Sequence, residues 1–329
     1  MKQILTSLFE HQTLSKEQAK TALRDITAGK CNESEMTAFI SVFCMRPITV
    51  DELSGFRETL QELCLHVDLG TPNILDMCGT GGDGKHTFNI STLASFVAAG
   101  SGVKIAKHGN YGVSSGCGSS NVIESLGYTF SNDPADLKTT MQRAGICFMH
   151  AQLFHPAMKN VAPIRRALGI KTFFNMLGPI INPAFPGKQV TGVYSKDVAR
   201  LYKYVLEKTA QDFIILYSLD GYDEISLTSP FIMISKDREE VIYPADLGFP
   251  TYTLKDIAGG ESVEESTKIF TSVLEGKGTK AQNDVVIVNA AMGILCSNPR
   301  LNIKESIEKA RESLMTGKAL ETLHLFLNK

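Results

Sequence analysis

The pattern of apolar and polar positions changes its period along the chain. Over residues 1–68 apolar side chains recur three and four positions apart, the spacing of a helix face. Ile4, Leu5, Leu8 and Phe9 form a first stripe. Ala19, Ala22, Leu23 and Ile26 form a second, opened by the capping box "SKEQ" (Ser15–Gln18) and closed by Gly29. Met36, Phe39, Ile40 and Phe43 make a third, which stops before Pro47 because the residue preceding proline is pushed out of the helical region. "TVDE" (Thr49–Glu52) caps a fourth helix carrying Leu53, Phe56, Leu60 and Leu63. The spacing predicts a small, all-helical N-terminal domain over 1–68.

From "NILDMC" onward, short apolar runs ("VKIAKH", "ICFMHA", "KQVTGVYS", "DFIILYS") alternate with helical patterns ("TLASFVAAGSG", "SNVIESLGY", "KDVARLYKYVLEKTA"). Strands that read as continuous apolar runs and alternate with helices predict a larger α/β domain over 69–329 with a mostly parallel central sheet. "FIMISK" and "REEVIYP" read as a late hairpin, and Val263–Glu275, Asp284–Cys296 and Ile303–Asn328 as a helical C-terminal part. The segment Pro163–Leu177 is helical in pattern and basic. A segment near 163–180 is expected to complete the small domain, which would make it discontinuous.

Composition narrows the class. The chain has 329 residues, 43% hydrophobic and 21% charged, ordinary for a globular protein, and its net charge of −2 provides no electrostatic footprint for nucleic acid. The seven cysteines are scattered and never in C-x-x-C spacing, so no disulfide framework or zinc site is expected. No apolar run approaches the ~20 residues that span a bilayer, and "MKQILTSLFEHQTLSKEQAK" carries charge too early for a signal peptide. A cytoplasmic protein without membrane or nucleic-acid partners is expected.

The candidate chemistry begins at "DMCGTGGDGKHTFNIST" (76–92), which packs four glycines into the six positions Gly79–Gly84. Such a loop after a strand brings bare backbone close to a ligand, most often phosphate, yet Asp83 places a carboxylate in it. The dinucleotide fingerprint fits formally, but no helix opens on its third glycine and the next strand ends in Lys104 and Lys107 where an acid is required. The Walker pattern fails at His86, which replaces the hydroxyl. "NIST" (Asn89–Thr92) precedes a helix, where exposed amides and two hydroxyls make a phosphate cradle. A second loop of small residues, "VSSGCGSS", follows "KHGN" (Lys107–Asn110) and places a second anion-friendly loop on the same edge of the sheet. The acids Asp220, Asp223 and Glu224 follow "DFIILYS"; a carboxylate pair beside phosphate loops suits Mg²⁺, which takes one or two carboxylates and uses substrate phosphates for the rest. Finally "HPAMKNVAPIRRALGIKT" offers His155, Lys159, Arg165 and Arg166, of which an arginine aimed into a cleft would bind a carboxylate bidentately.

In this order, "GTGGDG", "NIST", "KHGN…SS", "HPAMK…AP.RR.LG" and "DE" closely resemble the anthranilate phosphoribosyltransferase family of tryptophan biosynthesis, over essentially the whole chain. The resemblance implies a homodimer formed through the helical domains and two Mg²⁺ per monomer. It implies phosphoribosyl transfer from 5-phosphoribosyl-1-pyrophosphate to the amine of anthranilate, releasing pyrophosphate. By position it assigns Gly79, Gly82, Asp83, Thr87, Asn89, Ile90, Ser91, Thr92, Lys107, His108, Gly109, Asn110, Ser114, Ser115 and Ser119 to the phosphoribosyl pyrophosphate. Ser91, Asp223 and Glu224 fall to metal, and Gly79, Asn110 and Arg165 to anthranilate, with His108 near the acceptor. One departure stands out: Tyr111-Gly112 follows "KHGN" where that family usually has an arginine. The competing readings are a pyrimidine nucleoside phosphorylase of the same general architecture, which needs no acidic pair, and a non-catalytic nucleic-acid binder, which the near-neutral charge disfavours. A dinucleotide-binding oxidoreductase is more distant. The implied reaction is a dissociative displacement at ribose C1, resting on positioning and electrostatics rather than on a nucleophilic side chain.

Overall fold

In the computed structural model of the chain, which describes residues 1–112 and 116–328, the residues fall into two compact units. The helical unit comprises Met1–His66 and Ala151–Phe185. Its first four helices are α1 (Lys2–Phe9), α2 (Lys16–Thr27), α3 (Glu33–Met45) and α4 (Val50–Glu62). The boxes at Ser15/Gln18 and Thr49/Glu52 cap α2 and α4, and a third at Asn32/Glu35 caps α3. Phe39, Phe43 and Phe56 meet Phe173 edge-on or stacked, with centroids as close as 4.6 Å between Phe56 and Phe173, so the later segment supplies part of this unit's core. Gly55 lets α4 lie against α2: a methyl group there would come 2.8 Å from the Ala19 side chain. Glu52 is fully buried and accepts the amides of Leu14 and Thr49, each at 2.9 Å, and the guanidinium of Arg46. Burial alone would raise its pKa, but Arg46 and the two amides outweigh it and hold the carboxyl below its usual value.

Two expectations for this unit change. The stripe of α1 narrows to Leu5 and Leu8, with Phe9 exposed. The segment 163–177 is not one helix: Ala162–Leu168 ends where Gly169 turns left-handed (φ +62°), and a 3₁₀ turn follows at Phe173–Met176.

The α/β unit comprises Val67–His150 and Pro186–Lys329. Its strands are β1 (Leu75–Gly79), β2 (Ile105–Gly109), β3 (Ile146–His150), β4 (Lys188–Gly192), β5 (Asp212–Ser218), β6 (Phe231–Ser235) and β7 (Glu239–Ile242). Among the described residues they form a seven-stranded sheet in the order β3-β2-β1-β4-β5-β6-β7; the first five are parallel, and β6 and β7 append the expected antiparallel hairpin. β1 pairs with β4 in register from Leu75–Lys188 to Gly79–Gly192. The chain runs outward from β1 through β2 to β3, then crosses back to β4. The strand order therefore reverses at β1, and the crevice past its carboxyl end is where open α/β sheets bind ligands.

Helix α5 (Ile90–Gly100) and the long helix Lys280–Ser297 are buried along most of their length and cover the sheet. Gly293 lets the long helix pass over β1, because a methyl group there would sit 2.5 Å from the Met77 sulfur. The C-terminal stretch 303–328 is two helices, Ile303–Met315 and Lys318–Leu327, broken at Gly317 (φ +85°). A further helix, Pro134–Ala144, starts on the Asp133 cap with proline in its first position and ends on left-handed Gly145.

Candidate active site

The carboxyl ends of β1 and β4 finish in Gly79 and Gly192, side by side in register. The loop after β5 lies across both. A methyl group on Gly192 would overlap the Asp223 carbonyl, and one on Gly79 would strike the Asp223 carboxylate. These two glycines are required by close approach, not by conformation. The glycine loop after β1 differs: Gly81, Gly82 and Gly84 all adopt left-handed backbone, at φ +64°, +75° and +74°. Methyl groups on Gly81 and Gly84 would have open space around them.

The two loops are tied together. The Gly81 amide donates to the Asp223 carboxylate at 2.6 Å. The Lys85 ammonium lies 4.8 Å from the ring centre of buried Tyr222. Asp83 accepts the Lys85 amide at 3.0 Å and lies within hydrogen-bonding reach of Asp223. Asp83 therefore faces another carboxyl group, an arrangement that attracts a cation.

Helix α5 begins beside them. Its cap residue Asn89 does not bond the first turn; its side chain instead donates to the Cys117 carbonyl at 3.2 Å. The Ser91 amide is capped from outside, by the Glu224 carboxylate at 2.8 Å. Desolvation pushes the Asp223 pKa well above its usual value, and the charges of Glu224 and Asp83 push it further. Desolvation also lifts Glu224 to about 7, against the stabilising hydrogen bonds from Ser91. Asp223, Glu224, Ser91 and Gly79 line a small cavity together with Gly192 and Asn289. Among the described residues, no set of three or more His, Cys, Asp or Glu side chains is arranged to hold a metal ion alone. A carboxylate pair beside phosphate-type loops could hold a cation that completes its shell with a ligand.

Lys107 points into the sheet's interior, 1% exposed, and its ammonium donates to the Met77 carbonyl at 2.6 Å. Its charge favours ionised Glu224. His108 is buried on β2, with its amide directed to Asp76 at 3.3 Å. The exposed Asn110 turns the chain after β2: its side-chain oxygen accepts the Tyr111 amide at 2.9 Å and its carbonyl accepts the Ser120 amide at 3.1 Å. Gly109 leaves room for Phe148 and Ser119. Tyr111 packs on His150 at 4.7 Å and donates its hydroxyl to Glu124 at 3.1 Å, so this tyrosine anchors the start of the second loop. Ser114 and Ser115 lie outside the described residues.

Of the expected site residues, Gly79, Asp83, Ser91, Lys107, Asp223 and Glu224 come together in the α/β unit. Gly82 lies in the same glycine loop, while Ile90 and the buried Thr92 lie in the first turn of α5. Thr87 bridges to Ala258. Arg165 belongs to the helical unit, half-buried, with its guanidinium 5.3 Å from the Phe174 ring centre; burial lowers its pKa. Sequence reading missed Gly192, Ser218, Tyr222 and Asn289. Only Asn289 left a signal, as a lone amide inside the apolar run "VVIVNAAMGIL".

Comparison with known proteins agrees with this geometry. Residues 2–64 match the glycosyl transferase family helical bundle domain, and residues 71–320 the glycosyl transferase family a/b domain. The anthranilate phosphoribosyltransferase of Flavobacterium johnsoniae is 56% identical over 98% of both chains. That of Bacteroides fragilis (strain ATCC 25285) is 49% identical over 99% of both. Among solved structures, the Thermus thermophilus enzyme superposes with a TM-score of 0.91 at 30% identity, covering 98% of each chain. The Saccharomyces cerevisiae enzyme in complex with PRPP and Mg gives 0.91 at 29% identity, covering 98% of this chain and 96% of that one. Because the match runs through both units and includes the glycine and acidic loops at the β1–β4 crevice, the chain belongs to the anthranilate phosphoribosyltransferase family.

Proposed function

We propose that the crevice past β1 and β4 binds 5-phosphoribosyl-1-pyrophosphate with Mg²⁺, and that the chain transfers its phosphoribosyl group to the amine of anthranilate. The observation that carries this reading is the convergence of Asp223 and Glu224 on the glycine loop and on the first turn of α5. Asp223 and Glu224, with the Ser91 hydroxyl, would hold the cation, in a count of two per monomer. Bound Mg²⁺ supplies positive charge against the departing pyrophosphate.

The other roles belong to the chain's own groups. The backbone of Gly79 and Gly82 admits phosphate oxygens closely, and Asn89, Ile90, Ser91 and Thr92 flank them at the start of α5, where Glu224 already holds the Ser91 amide. Asp83 and Thr87 orient the donor from the glycine loop. Lys107 sets the charge beneath the site, while His108, Gly109, Asn110 and Ser119 flank the donor; the expected roles of Ser114 and Ser115 lie outside the described residues. Gly79 and Asn110 take anthranilate, and the Arg165 guanidinium is of the type that matches a carboxylate. Displacement at ribose C1 then rests on held geometry and preorganised charge. Anthranilate's amine is already neutral at pH 7 and needs no strong base.

From the family resemblance we propose a homodimer formed through the helical unit, on which Phe9, Met45 and Ile170 are exposed. Among the described residues no helix is long and apolar enough to cross a membrane; from the family resemblance, and not from that absence, we propose a cytoplasmic location. The test follows the loss of anthranilate fluorescence with the donor, with and without Mg²⁺. Loss only when donor and Mg²⁺ are both present is expected. No loss in that mixture, together with phosphorolysis of a pyrimidine nucleoside, would replace this reading by a phosphorylase.

A further inference from the structure

The long helix Lys280–Ser297 is apolar over most of its length but carries Asn289 near its middle, 5% exposed. A buried carboxamide persists only where its bonds are made. Its oxygen accepts the Ile225 amide at 3.1 Å, and its nitrogen donates to the Ile225 carbonyl and the Val285 carbonyl, each at 2.8 Å. Asn289 thus pairs with both backbone groups of Ile225, as a neighbouring strand would. From the other side, the Ser218 hydroxyl donates to the Glu224 carbonyl at 2.7 Å. The peptide joining Glu224 to Ile225 therefore has both polar groups satisfied, one by the end of β5 and one by the long helix. Asn289 also lines the cavity that Asp223 and Glu224 share.

We propose that Asn289 is a positioning residue for the cation site: it locks the backbone immediately after the acidic pair and so sets how tightly the pair holds a divalent ion. The proposal rests on Asp223 and Glu224 being cation ligands. The side-chain chemistry is specific. Aspartate keeps the acceptor for the Ile225 amide but sets a second acceptor against the Ile225 carbonyl, and alanine leaves both groups unmet in a buried place. A group that orients ligands from behind typically alters metal affinity by about 10–100-fold.

The test uses Mn²⁺ as the probe, titrated into the full chain with inorganic pyrophosphate and followed by the electron paramagnetic resonance of free Mn²⁺. Asn289→Ala and Asn289→Asp are expected to raise the Mn²⁺ Kd about tenfold or more, and Ser218→Ala to raise it less. The Mg²⁺ concentration for half-maximal turnover should rise in parallel, by more than kcat at saturating Mg²⁺ falls. A merely structural asparagine would lower the melting temperature and leave the Mn²⁺ Kd within about twofold; that result, with Glu224→Gln binding Mn²⁺ poorly, overturns the proposal and spares the ligand reading. Parent-like Mn²⁺ binding by both Glu224→Gln and Asp223→Asn overturns the ligand reading itself. Should Asn289→Ala fail to fold, Asn289→Asp, of nearly the same volume, decides the matter by the same Kd.

Discussion

Glu224→Gln separates what the acidic pair does for catalysis from what it does to stability. In the metal-free fold Glu224 titrates at about 7, against an ordinary value of 4.5, because the charged form is desolvated. An acid with a raised folded pKa holds its proton longer in the native state than in the unfolded chain. Its neutral form is accommodated without penalty below about pH 4.5, and native stability falls as pH climbs from there to about 7. A shift of this size corresponds to about 3 kcal/mol. Asp223, raised for the same reasons, adds a loss of the same sign. Glutamine cannot ionise, and its oxygen can still accept the Ser91 amide. In EDTA at pH 8 the variant should therefore be more stable than the parent by up to about 3 kcal/mol, roughly 4 °C in melting temperature for a chain of this length. At pH 4.5 the two should converge. Adding Mg²⁺ with pyrophosphate should reverse the order at pH 8, because ligand stabilises only the form that binds it. Thermal melts at the two pH values, with and without the cation, test all of this. Equal melting temperatures at pH 8 in EDTA would refute the claim that burial outweighs the Ser91 and Lys107 contacts and raises the Glu224 carboxyl in the fold.

Three further outcomes follow from the packing and the exposed surface. Gly192→Ala drives a methyl group into the Asp223 carbonyl, so the acidic loop must shift; turnover at fixed Mg²⁺ should fall at least about tenfold, with a stability cost of about 1–3 kcal/mol in urea melts. Glu52→Ala leaves the Arg46 guanidinium and the Leu14 amide without their buried partner and should destabilise the helical unit by about 3–5 kcal/mol, read by denaturant unfolding. Light scattering should give twice the 35.9 kDa chain mass, and Met45→Glu should shift it toward the single-chain value; an unshifted dimer would move the interface away from Met45.

Much of the fold could be read from the residues because local signals agreed with the long-range outcome. The runs around Ile146 and Ile214 are apolar without alternation, as strands buried on both faces must be, whereas β1, β2 and β4 bury Asp76, Lys107, His108, Lys188 and Gln189 among their apolar residues. The caps at Ser15 and Thr49 fix where α2 and α4 begin. What escaped depends on contacts distant in sequence or on backbone sign. Gly192 looks like any strand-end glycine until the loop carrying Asp223 is laid across it. Ser218 and Asn289 meet around one peptide only after the long helix has packed on the sheet. Gly169 and Gly317 break stretches whose apolar spacing continues past them, because a left-handed residue ends a helix whatever its neighbours' hydrophobicity. Within the site, the acids and the glycine loop were legible as types; that Asp83 turns toward Asp223 was not.

The Ser91 amide in the first turn of α5, which would ordinarily welcome an anion, is already taken by the chain's own Glu224. A bare phosphate approaching that helix meets a resident carboxylate and is repelled. The same phosphate arriving with a divalent ion brings positive charge to an acidic pair that Lys107 only partly serves. On the proposed reading, a donor that carries its cation therefore has the advantage at this edge of the sheet over phosphate without one.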